Sequence, residues 1–198
     1  MLFYIVVAII FLPCMILFPV VVKGKKNLKK LKKQNYIISC NHMSNLDPVM
    51  IDIRLRKKYY ILAKKELFKN KFFGACMRGF GAVSVDRQGT DTKAIRQIFS
   101  LIQKKKNICI FPQGTRCKTP EIQDGAAKEG VAMFAIRTNT PVVPMVYNKK
   151  IRLFRWTKLI IGEPIYPDET RKKDKDYLDE FSNLIITKMN ELLKGDKK

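Results

Sequence analysis

Histidine is nearly absent from this chain, and acidic residues are few. Its 198 residues include one histidine, His42, and 17 Asp and Glu against 39 Lys and Arg, which gives a formal net charge of +22. A single imidazole excludes a histidine-rich metal site, and any imidazole chemistry has to use His42. The large positive charge indicates an anionic partner, which could be nucleic acid, anionic lipid or a phosphorylated substrate.

Paired cysteine motifs are also missing. The cysteines are odd in number, contain no CxxC pair and stand at Cys14, Cys40, Cys76, Cys109 and Cys117. This pattern excludes a disulfide framework and a thiolate zinc site, and reduced thiols favour the cytosolic side of a membrane. The composition, 46% hydrophobic and 28% charged, is that of a globular protein. The length predicts one domain with a sizeable core and an appendage.

Charged side chains are absent from residues 1–22. A helix of this length extends about 33 Å, close to the thickness of a bilayer core. Pro13 and Pro19 interrupt the run, so it predicts either a kinked membrane-spanning helix or a segment lying partly in the membrane interface. A cleaved signal peptide fits less well, because no positive region precedes the run and no A-x-A site follows it. A buried core helix is disfavoured by the length of the run.

Lysine dominates the segment that follows. Seven lysines and no acidic residue lie between Lys23 and Lys33. A solvated linker or a nucleic-acid-binding arm has this composition, but the position directly after an apolar run favours a membrane-proximal segment on the cytosolic side. We therefore expect a hydrophobic membrane anchor over residues 1–22, a basic juxtamembrane linker over 23–34 and a globular domain over 35–198 on the cytoplasmic face of the cell membrane.

From residue 35 onward, short apolar runs alternate with helical patterns. Strands are predicted from Tyr36, Tyr59, Gly81, Asn107, Pro141 and Lys158, and helices from Asp47, Lys65, Asp91, Asp124 and Asp174. Asp47 before Pro48 predicts a helix N-cap. The repeated β–α order predicts an α/β fold with a mostly parallel central sheet flanked by helices, after the N-terminal hydrophobic helix. Polar residues that follow different strands then converge at one edge of the sheet, where ligands bind.

The first polar cluster contains His42 and Asp47. A histidine whose Nδ1–H is held by a carboxylate can act as a general base. Asp47 could instead be only a helix cap, and the two roles are compatible. No GxSxG nucleophile elbow is present, and Cys40 is expected to point into the core as an inert thiol. The nucleophile would then be a hydroxyl of the substrate, with direct acyl transfer and no acyl-enzyme.

Two further clusters carry arginine. Arg87 follows a predicted strand, where its guanidinium suits a phosphate or simply pairs with Asp86. Gly114, Thr115 and Arg116 follow another strand, where they form either a phosphate cradle or only a turn with an exposed arginine. The fourth cluster is an apolar run, residues 142–146, which predicts a buried strand.

These four clusters, in this order, resemble the glycerolipid acyltransferase family over about residues 35–147. The family's first block is His-x4-Asp, matched by His42 and Asp47. Its second block ends in arginine, matched by Arg87, and its fourth contains a central proline, matched by Pro144. Each block alone has low specificity, whereas all of them in order form a specific pattern.

The third block departs from the family pattern, which is usually FPEGTR followed by serine. Gln113 stands in place of the glutamate, and Cys117 in place of the serine. Glutamine keeps the length and a hydrogen-bonding oxygen but loses the negative charge. Gln113 can therefore substitute if the glutamate orients the loop or the substrate, and activity falls or the acceptor differs if the charge itself is required.

The resemblance implies transfer of a fatty acyl group from a thioester, acyl-ACP or acyl-CoA, to the free hydroxyl of 1-acyl-glycerol-3-phosphate (lysophosphatidate), giving phosphatidate. His42 is then the general base, supported by Asp47, and Pro144 borders the acyl site. The substrate-binding residues are Arg87, Gln113, Gly114, Thr115 and Arg116. The resemblance implies no metal and no cofactor. The expected partners are lysophosphatidate, the acyl donor and membrane lipid, and not nucleic acid.

Several alternatives stay open at this point. Glycerol-3-phosphate or another lysophospholipid could be the acceptor. The chain could also be a membrane-anchored, non-catalytic lipid-binding module disabled at Gln113. A basic nucleic-acid-binding protein would explain the charge but not the apolar residues 1–22, and no RNP-type, zinc-finger or recognition-helix signature is present.

Overall fold

The protein is built around one twisted sheet. The structure, a computed structural model, describes residues 15–86, 91–123 and 129–196. Within these ranges seven strands lie in the order β1-β7-β6-β2-β5-β3-β4, and every neighbouring pair is parallel except β6 with β7. The strands are β1 (Val20–Lys23), β2 (Ile37–Cys40), β3 (Tyr60–Lys64), β4 (Ala82–Val85), β5 (Ile108–Ile110), β6 (Val142–Tyr147) and β7 (Thr157–Ile161). The predicted α/β fold with a mostly parallel sheet is confirmed.

Helices flank the sheet on both faces. They are α1 (Lys26–Lys29), α2 (Asp47–Leu55), α3 (Lys71–Gly79), α4 (Thr92–Gln103), α5 (Gly130–Thr138) and α6 (Tyr177–Asp196), with short 3-10 turns at Lys65–Phe68 and Glu169–Arg171. The helix expected from Lys65 is divided into one of these turns and α3. The helix expected from Asp124 is described only from Gly130, since residues 124–128 lie outside the described ranges.

The two faces of the sheet carry two separate cores. Alternation along β2 sends Ile37 into a core with α4, α5 and α6, and Ile38 into a core with α2. Both side chains are fully buried, as are all four residues of β2. Because a central parallel strand is covered on both faces, the sequence of β2 does not alternate between apolar and polar residues. Its one polar residue, Ser39, is also buried and donates its hydroxyl to the Met189 sulfur. Burial of this surface is the main source of stability, at about 25 cal/mol per Å².

The N-terminal boundary differs from the expected one. Val20–Val22 belong to edge strand β1, which pairs with β7 from Val20 opposite Thr157. Pro19 prevents a helix from continuing, and the β-branched valines after it favour a strand. Residues 23–34 contain the end of β1 and helix α1, so they are packed on the domain rather than forming a free linker.

Most of the expected anchor, residues 1–14, lies outside the described residues, and the anchor stays a prediction. Among the helices that the structure does describe, none combines the length and apolarity needed to cross a bilayer.

Strand direction determines which loops meet. Strands β2 to β6 run the same way, so their carboxyl ends lie at one edge of the sheet, here called the carboxyl edge. Strands β1 and β7 run the opposite way, so their first residues, Val20 and Thr157, lie at this same edge. The loops after β2, β3, β5 and β6 and the segment before β1 are therefore neighbours.

Candidate active site

The site begins where β2 ends. Asn41, the next residue, is fully buried and joins three segments through its amide. Its Nδ2 donates to the carbonyls of Pro120 at 2.9 Å and Tyr147 at 3.0 Å, and its Oδ1 accepts from the Tyr147 N–H at 2.8 Å. Losing these bonds would leave a buried amide without partners, which is costly. The bonds therefore hold the ends of β2 and β6 and the loop after β5 together.

His42 follows Asn41 and is paired with Asp47. The His42 Nδ1 lies 2.9 Å from Asp47 Oδ2. That oxygen also accepts from the backbone N–H groups of Met43 at 2.7 Å and Ser44 at 2.6 Å, so it is an acceptor and Nδ1 is the donor. The neutral ring then carries its lone pair on Nε2. The His42 side chain is 18% exposed and that of Asp47 is 1% exposed, so the imidazole is accessible and the carboxylate is not.

Asp47 is not the helix N-cap that the sequence predicts. The cap position is Leu46, Asp47 is the first residue of α2, and Pro48 is the second. Its carboxylate bonds to N–H groups of the preceding loop, because the fold turns it towards His42 instead of towards its own helix. The Tyr147 hydroxyl donates to the Asp47 backbone carbonyl at 2.9 Å and links the start of α2 to β6.

The loop after β5 holds His42 from the other side. The His42 N–H donates to Gln113 Oε1 at 3.1 Å, and the His42 carbonyl accepts from the Cys117 N–H at 2.8 Å. The imidazole stacks on Phe111 with centroids 4.2 Å apart and planes 25° apart. Backbone and ring are thus positioned independently of Asp47. The expected juxtaposition of the first and third clusters is present.

The remaining predicted residues have different surroundings. Thr115 and Arg116 are exposed beside Gln113, and Gly114 has φ +67°, a left-handed conformation that suits glycine. Pro144 is buried within β6, where its ring lies against Gly162 and its carbonyl accepts from the Gly162 N–H. Arg87 lies outside the described residues.

Burial makes the thiols of Cys40 and Cys109 unreactive. Desolvation raises the pKa of Cys40 and of Cys109 well above the usual value, and both are fully buried. The expectation that Cys40 points into the core is confirmed. Desolvation likewise raises the pKa of Tyr147, so its hydroxyl keeps the proton that it donates to Asp47. Of His42, Cys40, Cys109 and Tyr147, only His42 has an accessible side chain.

Sequence reasoning did not assign three residues that build the site: Asn41, Phe111 and Tyr147. Asn41 lies next to His42, and a polar residue directly after a buried strand was the available signal. Phe111 and Tyr147 lie at the ends of apolar strands, where an aromatic residue is usually part of the core. Their contacts with His42 and Asp47 depend on the pairing of strands that are distant in sequence. Within the described ranges, no cluster of three His, Cys, Asp or Glu side chains could hold a metal ion.

Comparison with known proteins identifies the family of the chain. A family model described as "Acyltransferase" matches residues 19–148. The chain is 29% identical over 178 residues to the 1-acyl-sn-glycerol-3-phosphate acyltransferase of Bacillus subtilis, covering 86% of each chain. It is 27% identical over 175 residues to the enzyme of that name from Streptococcus pneumoniae, covering 84% of this chain and 64% of the relative.

A solved structure has the same fold. The crystal structure of the 1-acyl-sn-glycerophosphate acyltransferase PlsC from Thermotoga maritima superposes with a TM-score of 0.61 and 24% identity, covering 86% of this chain and 72% of that one. The resemblance seen in the motifs is thus confirmed over most of the chain. Because the family model spans residues 19–148, from β1 past the end of β6, this chain belongs to the acyltransferase family.

Proposed function

We propose that the protein transfers a fatty acyl group from a thioester donor, acyl-ACP or acyl-CoA, to the free hydroxyl of lysophosphatidate, giving phosphatidate. The observation that carries this proposal is the His42–Asp47 pair, with its accessible imidazole next to the Gln113–Arg116 loop. Relatives named 1-acyl-sn-glycerol-3-phosphate acyltransferase support the choice of acceptor.

His42 is the proposed general base. Its Nδ1–H is bonded to Asp47, so Nε2 takes the proton of the acceptor hydroxyl as the oxygen attacks the thioester carbonyl. The C–S bond then breaks, and the imidazolium returns the proton to the leaving thiolate. Asp47 stabilises the imidazolium between these two steps. The reaction needs no metal or redox cofactor, because nucleophile, base and leaving group are all supplied by the substrates and His42.

The acceptor phosphate is proposed to bind at the loops that follow β4 and β5. Arg116 is exposed at the carboxyl edge, and no carboxylate of the described residues pairs with it. Arg87 is the second proposed phosphate ligand, and Thr115, next to Arg116, offers a hydroxyl. A guanidinium can bind phosphate through two parallel hydrogen bonds, which would hold the acceptor hydroxyl in place relative to His42. We further propose that Pro144 borders the acyl site.

The substrates and product are lipids, so we propose that the protein works at the cytoplasmic face of the cell membrane. Residues 1–14, the part of the expected anchor that precedes the described residues, are the proposed anchor, and the net charge of +22 favours an anionic bilayer surface and acidic acyl carrier protein.

An acyl-transfer assay tests the function. Lysophosphatidate in mixed micelles is incubated with acyl-CoA and, in parallel, with acyl-ACP, and His42→Ala provides the blank. Phosphatidate made by the wild-type protein and not by His42→Ala is expected. Equal product from both proteins would remove the proposed mechanism. Product from glycerol-3-phosphate but not from lysophosphatidate would change the acceptor, and no product from any acceptor would favour the non-catalytic lipid-binding module.

A further inference from the structure

The loop between β6 and β7, residues 148–156, exposes large apolar side chains beside the active site. We propose that this β6–β7 loop inserts into the surface of an anionic lipid bilayer and makes a membrane contact separate from residues 1–14. The proposal rests on the proposed function only in that the bilayer would supply the lipid acceptor.

The apolar surface of the loop is large. Leu153, Phe154 and Trp156 are 51%, 68% and 68% exposed. Ile16, in the segment before β1, is 71% exposed and lies beside the loop, because the Phe154 N–H donates to the Leu17 carbonyl at 2.7 Å. Side chains of this kind are usually buried, and a contiguous exposed group of them indicates an interaction surface.

The loop is held in this conformation by its own contacts. Ile151 is buried, the Arg155 N–H donates to the Arg152 carbonyl, and the Thr157 N–H donates to the Pro19 carbonyl at 2.9 Å. Phe154 has φ +53°, which is rare for a bulky residue and persists only where neighbouring contacts impose it. These contacts leave the side chains of Phe154 and Trp156 facing outward.

The charges around the aromatic residues indicate the partner. Residues 148–158 contain no acid, and exposed cations flank the apolar side chains at Lys149, Lys150, Arg152 and Arg155. None of these four forms an ion pair with a described residue. Tryptophan and phenylalanine next to lysine and arginine are typical of segments that lie in an anionic membrane interface.

Phe154 and Trp156 also line an open groove that is mostly apolar and carries one positive charge. It encloses about 520 Å³ and is lined by apolar side chains and one charged residue, Arg54. The Arg54 Nη2 donates to the Met15 carbonyl at 3.2 Å, and its Nε is buried without a partner in the described part of the chain. A positive group in an otherwise apolar groove is complementary to an anionic amphiphile. The lining residues are Met15, Ile16, Pro19, Val20, Val21, Arg54, Phe154 and Trp156.

The β6–β7 loop lies at the same edge of the sheet as His42, so a membrane bound by the loop would face the active site. Nine large hydrophobic residues are exposed in the described ranges, and six of them belong to the loops and segments that meet at the carboxyl edge, where His42 lies. These six are Ile16, Leu67, Phe72, Leu153, Phe154 and Trp156. A bilayer that contacts this edge would therefore lie on the same side of the sheet edge as the accessible His42 side chain.

Trp156 is the only tryptophan of the chain, so its fluorescence reports on the loop alone. The purified full chain is mixed with vesicles of equimolar phosphatidylcholine and phosphatidylglycerol, and with vesicles of phosphatidylcholine alone. Insertion predicts emission at shorter wavelength and quenching by brominated lipid, both stronger with the anionic vesicles. Lys149→Gln combined with Lys150→Gln should reduce the difference between the two vesicle types.

Phe154→Ser should weaken membrane binding, so that a roughly tenfold higher lipid concentration is needed to quench Trp156 to the same extent. Tyr166→Ser is the matched control, because Tyr166 is 57% exposed but lies near Ile165, which pairs with Val142 at the opposite edge of the sheet. Unchanged Trp156 emission in a protein that sediments with vesicles would overturn the proposal. So would emission that is already at short wavelength without lipid and insensitive to it, since residues 1–14 would then cover the loop. Neither fluorescence measurement requires turnover. If the protein catalyses acyl transfer but its Trp156 fluorescence does not respond to lipid, the proposed function stands and only the membrane insertion of the loop is wrong.

Discussion

The His42 N–H donates to the Gln113 side-chain oxygen at 3.1 Å, across 71 residues of sequence. This contact uses a carbonyl-type oxygen and no charge. It explains how glutamine can stand where the family usually has glutamate, since both residues offer an acceptor at the same distance from the backbone. Gln113 is therefore a positioning residue for the proposed base.

Gln113→Glu should keep turnover within a few-fold of wild type, because the acceptor is retained. Gln113→Met, of similar length but without an acceptor, leaves the His42 N–H unpaired and should lower kcat roughly ten- to a hundredfold with little change in KM. Steady-state kinetics on lysophosphatidate measure both. Gln103→Met on the exposed face of α4 is the control. Equal kcat for Gln113→Met and wild type would show that the contact does not matter.

Asp47→Asn should lower kcat roughly a hundred- to ten-thousandfold while the fold persists. The asparagine oxygen can still accept from Met43 and Ser44, but the charge that stabilises the imidazolium is lost. Asp52→Asn, on the same helix and bonded to the Tyr59 N–H instead of to His42, is the matched control and should retain activity. The assignment of Asp47 is wrong if the two variants turn over equally fast.

Asn41→Asp should destabilise the protein by roughly 2–4 kcal/mol. It replaces the Nδ2 donor by an oxygen that faces the carbonyls of Pro120 and Tyr147. Urea unfolding followed by far-ultraviolet circular dichroism gives the free energy of unfolding. Asn183→Asp on the exposed face of α6 should have almost no effect. A loss of stability no greater than that of this control would contradict the role given to the Asn41 bonds.

Asp52 should make stability depend on pH. Burial raises its pKa to about 8, against about 3.9 in the unfolded chain. The folded state therefore binds the proton more tightly, and this contribution is full below about 3.9 and is lost as the pH rises through about 8.

Asp52→Asn removes this titration while keeping an oxygen for the Tyr59 N–H. Between those two pKa values, the free energy of unfolding of wild type should fall relative to that of the variant, on the order of a few kcal/mol in total. Urea unfolding across the pH range measures the difference. Parallel stability curves for the two proteins would show that Asp52 does not titrate in this way.

Much of the fold followed from local pattern. The apolar runs at β2, β5 and β6 and the periodicity of the amphipathic helix α4 are visible within short segments. The structure has these elements within two residues of the predicted ends. Edge strand β1 was not predicted, because three valines after an apolar run look like its continuation. Only the pairing with β7, far away in the sequence, makes them a strand.

The sequence by itself determined the class of fold, the single histidine, its aspartate and the order of the four motif blocks, since these depend on composition and on spacing within short segments. Tertiary structure decided that Asn41 bonds to Tyr147 and that Gln113 accepts from the His42 backbone N–H. It also decided that the Asp47 carboxylate bonds to His42 instead of capping its helix, and that the β6–β7 loop lies at the carboxyl edge of the sheet. Those contacts join residues up to 106 positions apart. They depend on strand order and direction, which arise from the packing of the whole sheet and leave no periodic signal in any one segment.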